Sequence, residues 1–261
     1  MIARVGHELR LALIALQFLT RVPVPAAVGY EDAWLHASAR HFPLVGAVVG
    51  AIGASVLLAA SLVWPWPVAV LLSIVATLIV TGAFHEDGLA DTFDGLGGAA
   101  SRERALVIMK DSRLGTYGAV ALVAVLALKA ATLISLAAEA AAALVLAHTA
   151  SRALPVLLIR ALPYGGDAES AKAKPLAQRV SLAGVVVACA WVVAVALLLV
   201  AAGALPASRV ALALGAACTV AWAMARWLRR RLQGFTGDTL GAAQQLGEVA
   251  IYLALGAHAV S

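Results

Sequence analysis

The sequence predicts an all-α protein that crosses a membrane several times. Of its 261 residues, 63% are hydrophobic and 13% are charged, whereas soluble domains carry roughly 25% charged residues. The mean hydropathy is +0.95, and several apolar runs reach the roughly 20 residues that a helix needs to cross a hydrocarbon core. The connections between these runs are short. Residues 1–261 are therefore predicted to form a single membrane-embedded domain.

The apolar runs predict seven transmembrane helices, which follow an N-terminal helix at the membrane interface. In the first 21 residues, polar side chains recur at helical spacing opposite an apolar face, a pattern typical of an interfacial helix. In the first predicted span, the glycines Gly46, Gly50 and Gly53 predict close packing against another helix. The seven predicted spans cover residues 42–64, 67–84, 115–138, 140–160, 182–204, 208–228 and 240–260.

The distribution of Lys and Arg predicts how the chain is oriented. When the seven spans alternate in direction, 16 of the 19 basic residues fall on one side. Arg209 alone falls on the other side, and Lys129 and Arg152 lie within spans. The positive-inside rule makes the basic side cytoplasmic. The acidic motif described next opens to that side, so an active site there would face the cytoplasm.

The most informative stretch of the chain runs from His85 to Gly95. It contains four carboxylates within nine residues, in a chain that has only 14 acidic residues. If the stretch is helical, Asp87, Asp91 and Asp94 fall at i, i+4 and i+7 and share one face. Two like charges roughly 5–6 Å apart repel by about 2–3 kcal/mol at an effective dielectric constant near 20. The pattern therefore predicts that a divalent cation binds to this face.

The loop that follows adds basic residues suited to phosphate. The segment Gly95-Leu96-Gly97-Gly98 is predicted to end the helix, and Asp111 then lies between Lys110 and Arg113. Hard oxygen ligands without a histidine cluster favour Mg²⁺, with Mn²⁺ as an alternative. A metal beside cations that hold phosphate oxygens is the arrangement of a phosphoryl-transfer site.

A third polar cluster precedes the last span. Thr236 and Asp238 lie among glycines that let backbone amides approach an anion, and Asp238 is placed to cap the following helix. Glu248 in the last span and Arg152 in the fourth span are costly inside a membrane unless they face a polar interior. They are predicted either to bind substrate or to form a structural ion pair with each other.

These residues resemble a known family, the cobalamin synthases (adenosylcobinamide-GDP ribazoletransferases). The resemblance rests on the acidic motif and on Ile108–Gly118, and it covers essentially the whole chain. One difference is that Glu86 stands where the family frequently has Leu, and another is that Gln233-Gly234 replaces a pair of glycines. The further matching segments are Phe18–Pro25, His41–Gly46 with Gly50, and Thr236–Asp238 with Gly241, Ala242 and Glu248.

The resemblance implies a Mg²⁺-dependent phosphotransferase of the bacterial inner membrane. It would catalyse the last assembly step of the cobalamin nucleotide loop. A ribose hydroxyl of α-ribazole, or of its 5′-phosphate, attacks the cobinamide-linked phosphorus of adenosylcobinamide-GDP, and GMP leaves. The product is adenosylcobalamin or its 5′-phosphate. The expected partners are these small molecules and membrane lipid, with homo-oligomer formation left open and no nucleic acid expected.

For this chemistry the sequence predicts a role for each candidate residue. His85 and Asp111 are the candidate catalytic groups for proton transfer. The alternatives are that Asp87 and Asp94 cap helices, that Asp111 forms a surface ion pair with Arg104 or Lys110, and that Asp238 only caps its helix. The predicted metal ligands are Asp87, Asp91, Asp94 and Asp111, and the predicted substrate-binding residues are Lys110, Arg113, Thr236, Asp238, Arg152 and Glu248.

Two other functions are compatible with parts of the sequence. The spacing of Asp91 and Asp94-Gly95 also occurs in CDP-alcohol phosphotransferases, but their motif continues differently from the Gly98-Ala99 and lone Asp111 found here. A non-enzymatic transporter would use Asp87 and Glu248 as a relay, although nearly all the acids lie at one membrane face. The remaining cytoplasmic loop, Pro163–Lys174, is predicted to be a flap over the substrate or an ordinary linker.

Overall fold

The computed structural model of the protein describes residues 2–29, 31–166 and 177–257. Within these ranges the structure is helical, and the one β-type pairing is an isolated bridge between Tyr164 and Phe235. The α-helices are α1 (Ile2–Leu19), α2 (Asp32–Ser38), α3 (Phe42–Ser61), α4 (Trp66–Thr81), α5 (Phe84–Gly98), α6 (Arg102–Met109), α7 (Thr116–Leu136), α8 (Ala140–Ser151), α9 (Ala153–Ala161), α10 (Leu182–Ala201), α11 (Ala207–Arg231) and α12 (Gly237–Gly256).

The prediction of an all-α polytopic membrane protein is confirmed, but the count of seven spans is not. In the described ranges, four helical stretches are long and apolar enough to cross a membrane, or five if the bent pair of α4 and α5 is one span. Two predicted spans are not among these stretches on their own. α4 has only 16 residues, and α12 does not pass the same test of length and hydropathy. Residues 258–260 of the last predicted span lie outside the described residues. The four stretches are Asp32–Ser61, Thr116–Ala161, Leu182–Ala201 and Ala207–Arg231.

The stretch Thr116–Ala161 contains two of the predicted spans. A straight helix of its 46 residues would be about 69 Å long, more than twice the thickness of a hydrocarbon core. Contacts with α12 show that α7 runs parallel to that helix and that α8 runs antiparallel to it, and Ala137 has a positive φ of 49° where the chain reverses. The contacts are Lys129 with Gln245 and Thr132 with Gly256 for α7, and Ser151 with Gln244 and His148 with Glu248 for α8.

The acidic motif forms a helix of its own, α5, as its spacing predicts. α4 and α5 meet at an angle of 88°. Two consecutive left-handed residues make this elbow, Gly82 with φ 67° and Ala83 with φ 55°. Glycine adopts that conformation readily, whereas alanine does so at a cost of roughly 1–2 kcal/mol. Because of the bend, the motif does not prolong α4 but turns towards α7 and α12.

The helix ends within the segment Gly95–Gly98, as predicted, but only at its last residue, Gly98, so Gly95 and Gly97 are helical. A Cβ atom at Gly95 would lie 2.6 Å from the Met109 side chain and 2.9 Å from the Ala105 carbonyl oxygen. At Gly97 it would lie 2.9 Å from the ring of Tyr117. These glycines let α6 and α7 pack directly on α5, and this packing outweighs the low helix propensity of glycine.

Close packing of the glycines of α3 is confirmed. A Cβ atom at Gly50 would lie 2.7 Å from the Leu144 carbonyl oxygen, and one at Gly46 would overlap the carbonyl group of His148. Both neighbours belong to α8, whereas Gly53 faces the Thr77 side chain of α4. The approach of α3 holds α8 in the bundle interior, with its polar end directed towards α12.

Two further segments, α1 and the start of the loop after α9, have defined anchors. In α1, Glu8 binds Arg40 at 3.1 Å and His41 at 2.9 Å, which ties this helix to the start of α3. Its location at the membrane interface stays a prediction. Phe235 donates its amide hydrogen to the Pro163 carbonyl oxygen at 3.0 Å, so the beginning of the predicted flap is fixed. Lys172–Lys174 of that flap lies outside the described residues.

Candidate active site

The three aspartates of α5 occupy different environments. Asp87 is exposed, Asp91 is half-buried and Asp94 is buried. In the part of the chain that the structure describes, no group of three or more His, Cys, Asp or Glu residues is arranged to hold a metal ion. The predicted cluster of four ligands, Asp87, Asp91, Asp94 and Asp111, is therefore not formed as one group.

Asp94 caps the neighbouring helix α7. One carboxylate oxygen accepts a hydrogen bond from the amide of Gly115 and the other from the amide of Gly118, each at 2.8 Å. A Cβ atom at either glycine would overlap the carboxylate. The helix gains the acceptor that its own N-cap residue, Gly115, lacks. Capping was the alternative considered from the sequence, and it joins α5 to α7.

Asp111 lies in the loop between α6 and α7 and pairs with Arg113. The guanidinium nitrogen Nη2 of Arg113 lies 2.6 Å from Oδ2 of Asp111, and its Nε lies 3.0 Å from Oδ1. These side-chain hydrogen bonds, with one from the backbone amide of Arg113, lower the pKa of Asp111 to about 2. A surface ion pair of Asp111, the alternative expected, does form, and Arg113 is the partner that the structure shows.

A buried polar network lies behind the motif helix. Its centre is Lys129 of α7, whose Nζ lies 2.9 Å from Glu248 and 2.7 Å from the side-chain oxygen of Gln245. Glu86 of α5 accepts a hydrogen bond from Gln245 at 2.8 Å and lies 3.9 Å from Lys129. The two carboxylates thus share one cation in the bundle interior, where unpaired charges would be unfavourable.

The same network reaches α8 and corrects the predicted pair of Arg152 with Glu248. Arg152 binds the carbonyl oxygen of His148 at 3.0 Å, and the ring of His148 lies 3.5 Å from Glu248. Lys129, rather than Arg152, makes the ion pair with Glu248 among the described residues. Sequence reasoning assigned Lys129 no role, although a lysine inside an apolar span carried the same signal as Arg152. Further members are Gln244, which binds Ser151 and Glu248, and Tyr252, which binds Glu248.

The N-terminus of α12 meets the motif helix. Thr236, and not Asp238 as expected, is its N-cap, and its side chain accepts the amide hydrogen of Thr239. Asp238 lies in the first turn, and a Cβ atom at Gly88 would be 2.7 Å from its carbonyl oxygen. His85 is buried on the same side, with its backbone beside Gly241. The structure therefore places the start of α12, with Asp238, against α5, in which His85 is buried, and it gives Thr236 a capping role.

A cavity of about 490 Å³ opens at the elbow between α4 and α5. It includes Asp87 and part of the segment that follows α1. It is thus a pocket on the exposed side of the motif helix. Its lining consists of Phe18, Thr20, Arg21, Thr81, Gly82, Ala83, Phe84 and Asp87.

Comparison with known proteins identifies the same family that the sequence motifs resemble. Residues 11–256 match the family model described as Cobalamin-5-phosphate synthase. The adenosylcobinamide-GDP ribazoletransferase of Leptothrix cholodnii is 61% identical over 95% of both chains. The enzyme of the same name from Albidiferax ferrireducens is 48% identical over 93% of this chain and 96% of the relative. The one from Shewanella amazonensis is 44% identical over 95% of both chains. No solved structure matches. This chain therefore belongs to the cobalamin-5-phosphate synthase family.

Proposed function

We propose that the protein is a membrane-bound adenosylcobinamide-GDP ribazoletransferase. It would join adenosylcobinamide-GDP to α-ribazole, or to α-ribazole 5′-phosphate, and release GMP. The observation that carries the proposal is the 61% identity, over 95% of both chains, to a relative of that name. This relationship favours the transferase over the lipid-type phosphotransferase and the transporter considered from the sequence.

The reaction replaces one phosphorus–oxygen bond with another. A ribose hydroxyl forms a bond to the cobinamide-linked phosphorus, and the bond from that phosphorus to the bridging oxygen of the diphosphate breaks. The hydroxyl proton passes to water. The departing GMP takes the bridging oxygen and its negative charge. A site for this reaction needs positive charge beside the diphosphate.

Asp87 and Asp91 are the residues that would hold Mg²⁺ in this site. They lie one helical turn apart on α5, and Asp87 borders the elbow cavity. Mg²⁺ in phosphoryl-transfer enzymes is held by one or two carboxylates, while substrate phosphates and water complete its shell. A pair of carboxylates matches this coordination better than the predicted set of four carboxylates. When bound, the ion would neutralise charge on the diphosphate, and Mn²⁺ has compatible ligand preferences.

Asp111 and Arg113 contribute differently from the initial prediction. With its pKa lowered to about 2, Asp111 is a weak proton acceptor near neutral pH. The pair is exposed and lies on the loop that precedes α7, whose first turn Asp94 caps. We therefore propose that this pair stabilises the conformation of the loop and does not transfer protons.

The proposal places the active site at the cytoplasmic face of the bacterial inner membrane. The basic end of α11 supports this, because Arg231 binds the carbonyl oxygen of Ala99 just after α5, at 2.6 Å. Arg102 binds the carbonyl oxygen of Leu232 at 2.8 Å. The sparsely charged end carries Arg209, which pairs with Glu139. Cysteine labelling in oriented vesicles tests the orientation: position 103 should react from the cytoplasmic side and position 207 from the other, and reversed labelling would contradict it.

A direct assay tests the activity. Purified protein in detergent is incubated with adenosylcobinamide-GDP and α-ribazole, with and without Mg²⁺, and the products are separated by mass. We expect the joined product and one GMP per product molecule, both dependent on the metal. The matched control is Glu103→Gln, which removes an exposed acid of α6 near α5 and should leave the rate unchanged. Absence of product with either form of ribazole would refute the proposal.

A further inference from the structure

The elbow cavity is lined by a cationic side chain, Arg21, for which the sequence predicted no role. Arg21 lines it together with Asp87, the exposed acid of the motif helix. Arg21 belongs to the segment that follows α1, far from α5 in sequence. The fold therefore brings a guanidinium group and a candidate metal ligand to one pocket.

The position of Arg21 is defined by contacts on both sides of it. Its backbone amide donates to the carbonyl oxygen of Val80 at 2.7 Å, which attaches the segment to the end of α4. The ring of Phe18 stacks on Phe42 at 5.8 Å and meets Phe84 edge-on at 5.6 Å, measured between ring centroids. The end of α1 is thus packed against the first residue of α5. These contacts keep Arg21 at the elbow.

The guanidinium group of Arg21 lies across Gly82. A Cβ atom at Gly82 would overlap Nε of Arg21 and lie 3.0 Å from its Cζ. Only a glycine, which also accepts the positive φ at this position, leaves the side chain room to cross the elbow. Among the described residues, no carboxylate forms an ion pair with Arg21, and its side chain is exposed. Its N–H donors therefore remain available to a solute that enters the cavity.

The chemistry of the cavity fits a diphosphate. A guanidinium group presents parallel donors that match two phosphate oxygens, and an aspartate beside it would hold the metal that the same phosphates bind. Of the two substrates, only adenosylcobinamide-GDP contains a diphosphate. We propose that Arg21 is a substrate-binding residue that contacts the diphosphate of adenosylcobinamide-GDP in the cavity it shares with Asp87. This inference rests on the proposed function.

Steady-state kinetics of Arg21 variants test the inference. Arg21→Gln should raise the KM for adenosylcobinamide-GDP by about tenfold or more, the size of a lost charge-assisted hydrogen bond, and leave the KM for α-ribazole nearly unchanged. Arg21→Lys, which keeps the charge but not the paired donors, should lie between wild type and Arg21→Gln. Arg226→Gln, an exposed arginine over the ring of Trp222, is the matched control and should behave as wild type. An equal rise in both KM values would mean that Arg21 only supports the elbow.

A binding measurement without turnover separates this inference from the proposed function. Inorganic pyrophosphate with Mg²⁺ should raise the Tm of the wild-type protein and of Arg226→Gln in detergent, and this rise should be lost in Arg21→Gln. If the wild type makes no product but shows the Arg21-dependent shift, the phosphate site stands and the proposed function fails. If the wild type is active while Arg21→Gln has unchanged KM values, or if pyrophosphate shifts no Tm, the inference is wrong.

Discussion

Acidic residues on the two sides of α5 differ in burial and in their partners. Asp87 is exposed beside the elbow cavity, whereas the residue before it, Glu86, is buried and shares Lys129 with Glu248. Neutralisation by a cation of the protein makes the buried acid a structural contact between helices. The exposed acid, Asp87, is the one that we propose binds an external cation. On the proposed function, burial and partner, rather than residue type, separate the acids that act on substrate from the acids that hold the helix.

The largest effect should come from the exposed side. Asp87→Asn and Asp91→Asn should each reduce Mg²⁺-dependent GMP release by about 10²–10³-fold, because each weakens the binding of the ion that neutralises the diphosphate. The folded state should persist, as measured by the Tm in detergent and by gel filtration. Glu103→Gln is the control. Turnover at the wild-type rate in either variant would contradict the assignment of Mg²⁺ ligands.

On the buried side, Lys129→Met should damage stability. It leaves Glu86 and Glu248 without their shared cation, and loss of one partner from a buried ion pair destabilises a protein by about 3–5 kcal/mol. We expect a lower Tm and a reduced yield of monodisperse protein. The double variant Lys129→Met with Glu248→Gln should recover part of the loss, since it removes an unpaired charge. Equal stability of the single variant and wild type would show that the network is not a structural contact.

Asp94 shares the helical face of Asp87 but is buried against α7, and its two substitutions distinguish capping from metal binding. Asp94→Ala should lower the free energy of unfolding by about 1–2 kcal/mol, because both amides at the start of α7 lose their acceptor. Asp94→Asn keeps one oxygen acceptor and should lose less. Thermal unfolding and GMP release are measured together. If the asparagine variant is fully stable and yet as inactive as Asp91→Asn, the metal role predicted from the sequence is the better account.

The smallest effect is expected at Asp111. Its folded-state pKa of about 2 lies below the ordinary value of 3.8, so its contribution to stability is present above about pH 4 and is lost as the pH falls towards 2. Between pH 5 and pH 8 the group does not titrate. Asp111→Asn should therefore change the rate by about twofold or less and leave the pH–rate profile in place, as for an exposed ion pair. Loss of the acidic limb of that profile would restore Asp111 as the catalytic base.

Features that depend on neighbours along the chain could be predicted from the sequence. Apolar runs about 20 residues long predicted an all-α membrane protein, since the thickness of a hydrocarbon core sets the length of a span. The helical period predicted one face for Asp87, Asp91 and Asp94, and glycine spacing predicted the close approach of α3 to a partner. The motifs also identified the family that the comparisons later showed.

Features that depend on residues distant in sequence were decided by the tertiary structure alone. The bend at Gly82 and Ala83 turns the motif helix so that Asp94 reaches the amides of α7, while Asp87 faces a cavity with Arg21. Periodicity determines which side chains share a helical face, but not which face meets another helix. That choice follows from packing and from the pairing of buried charges, and these join residues more than a hundred positions apart, such as Lys129 and Glu248.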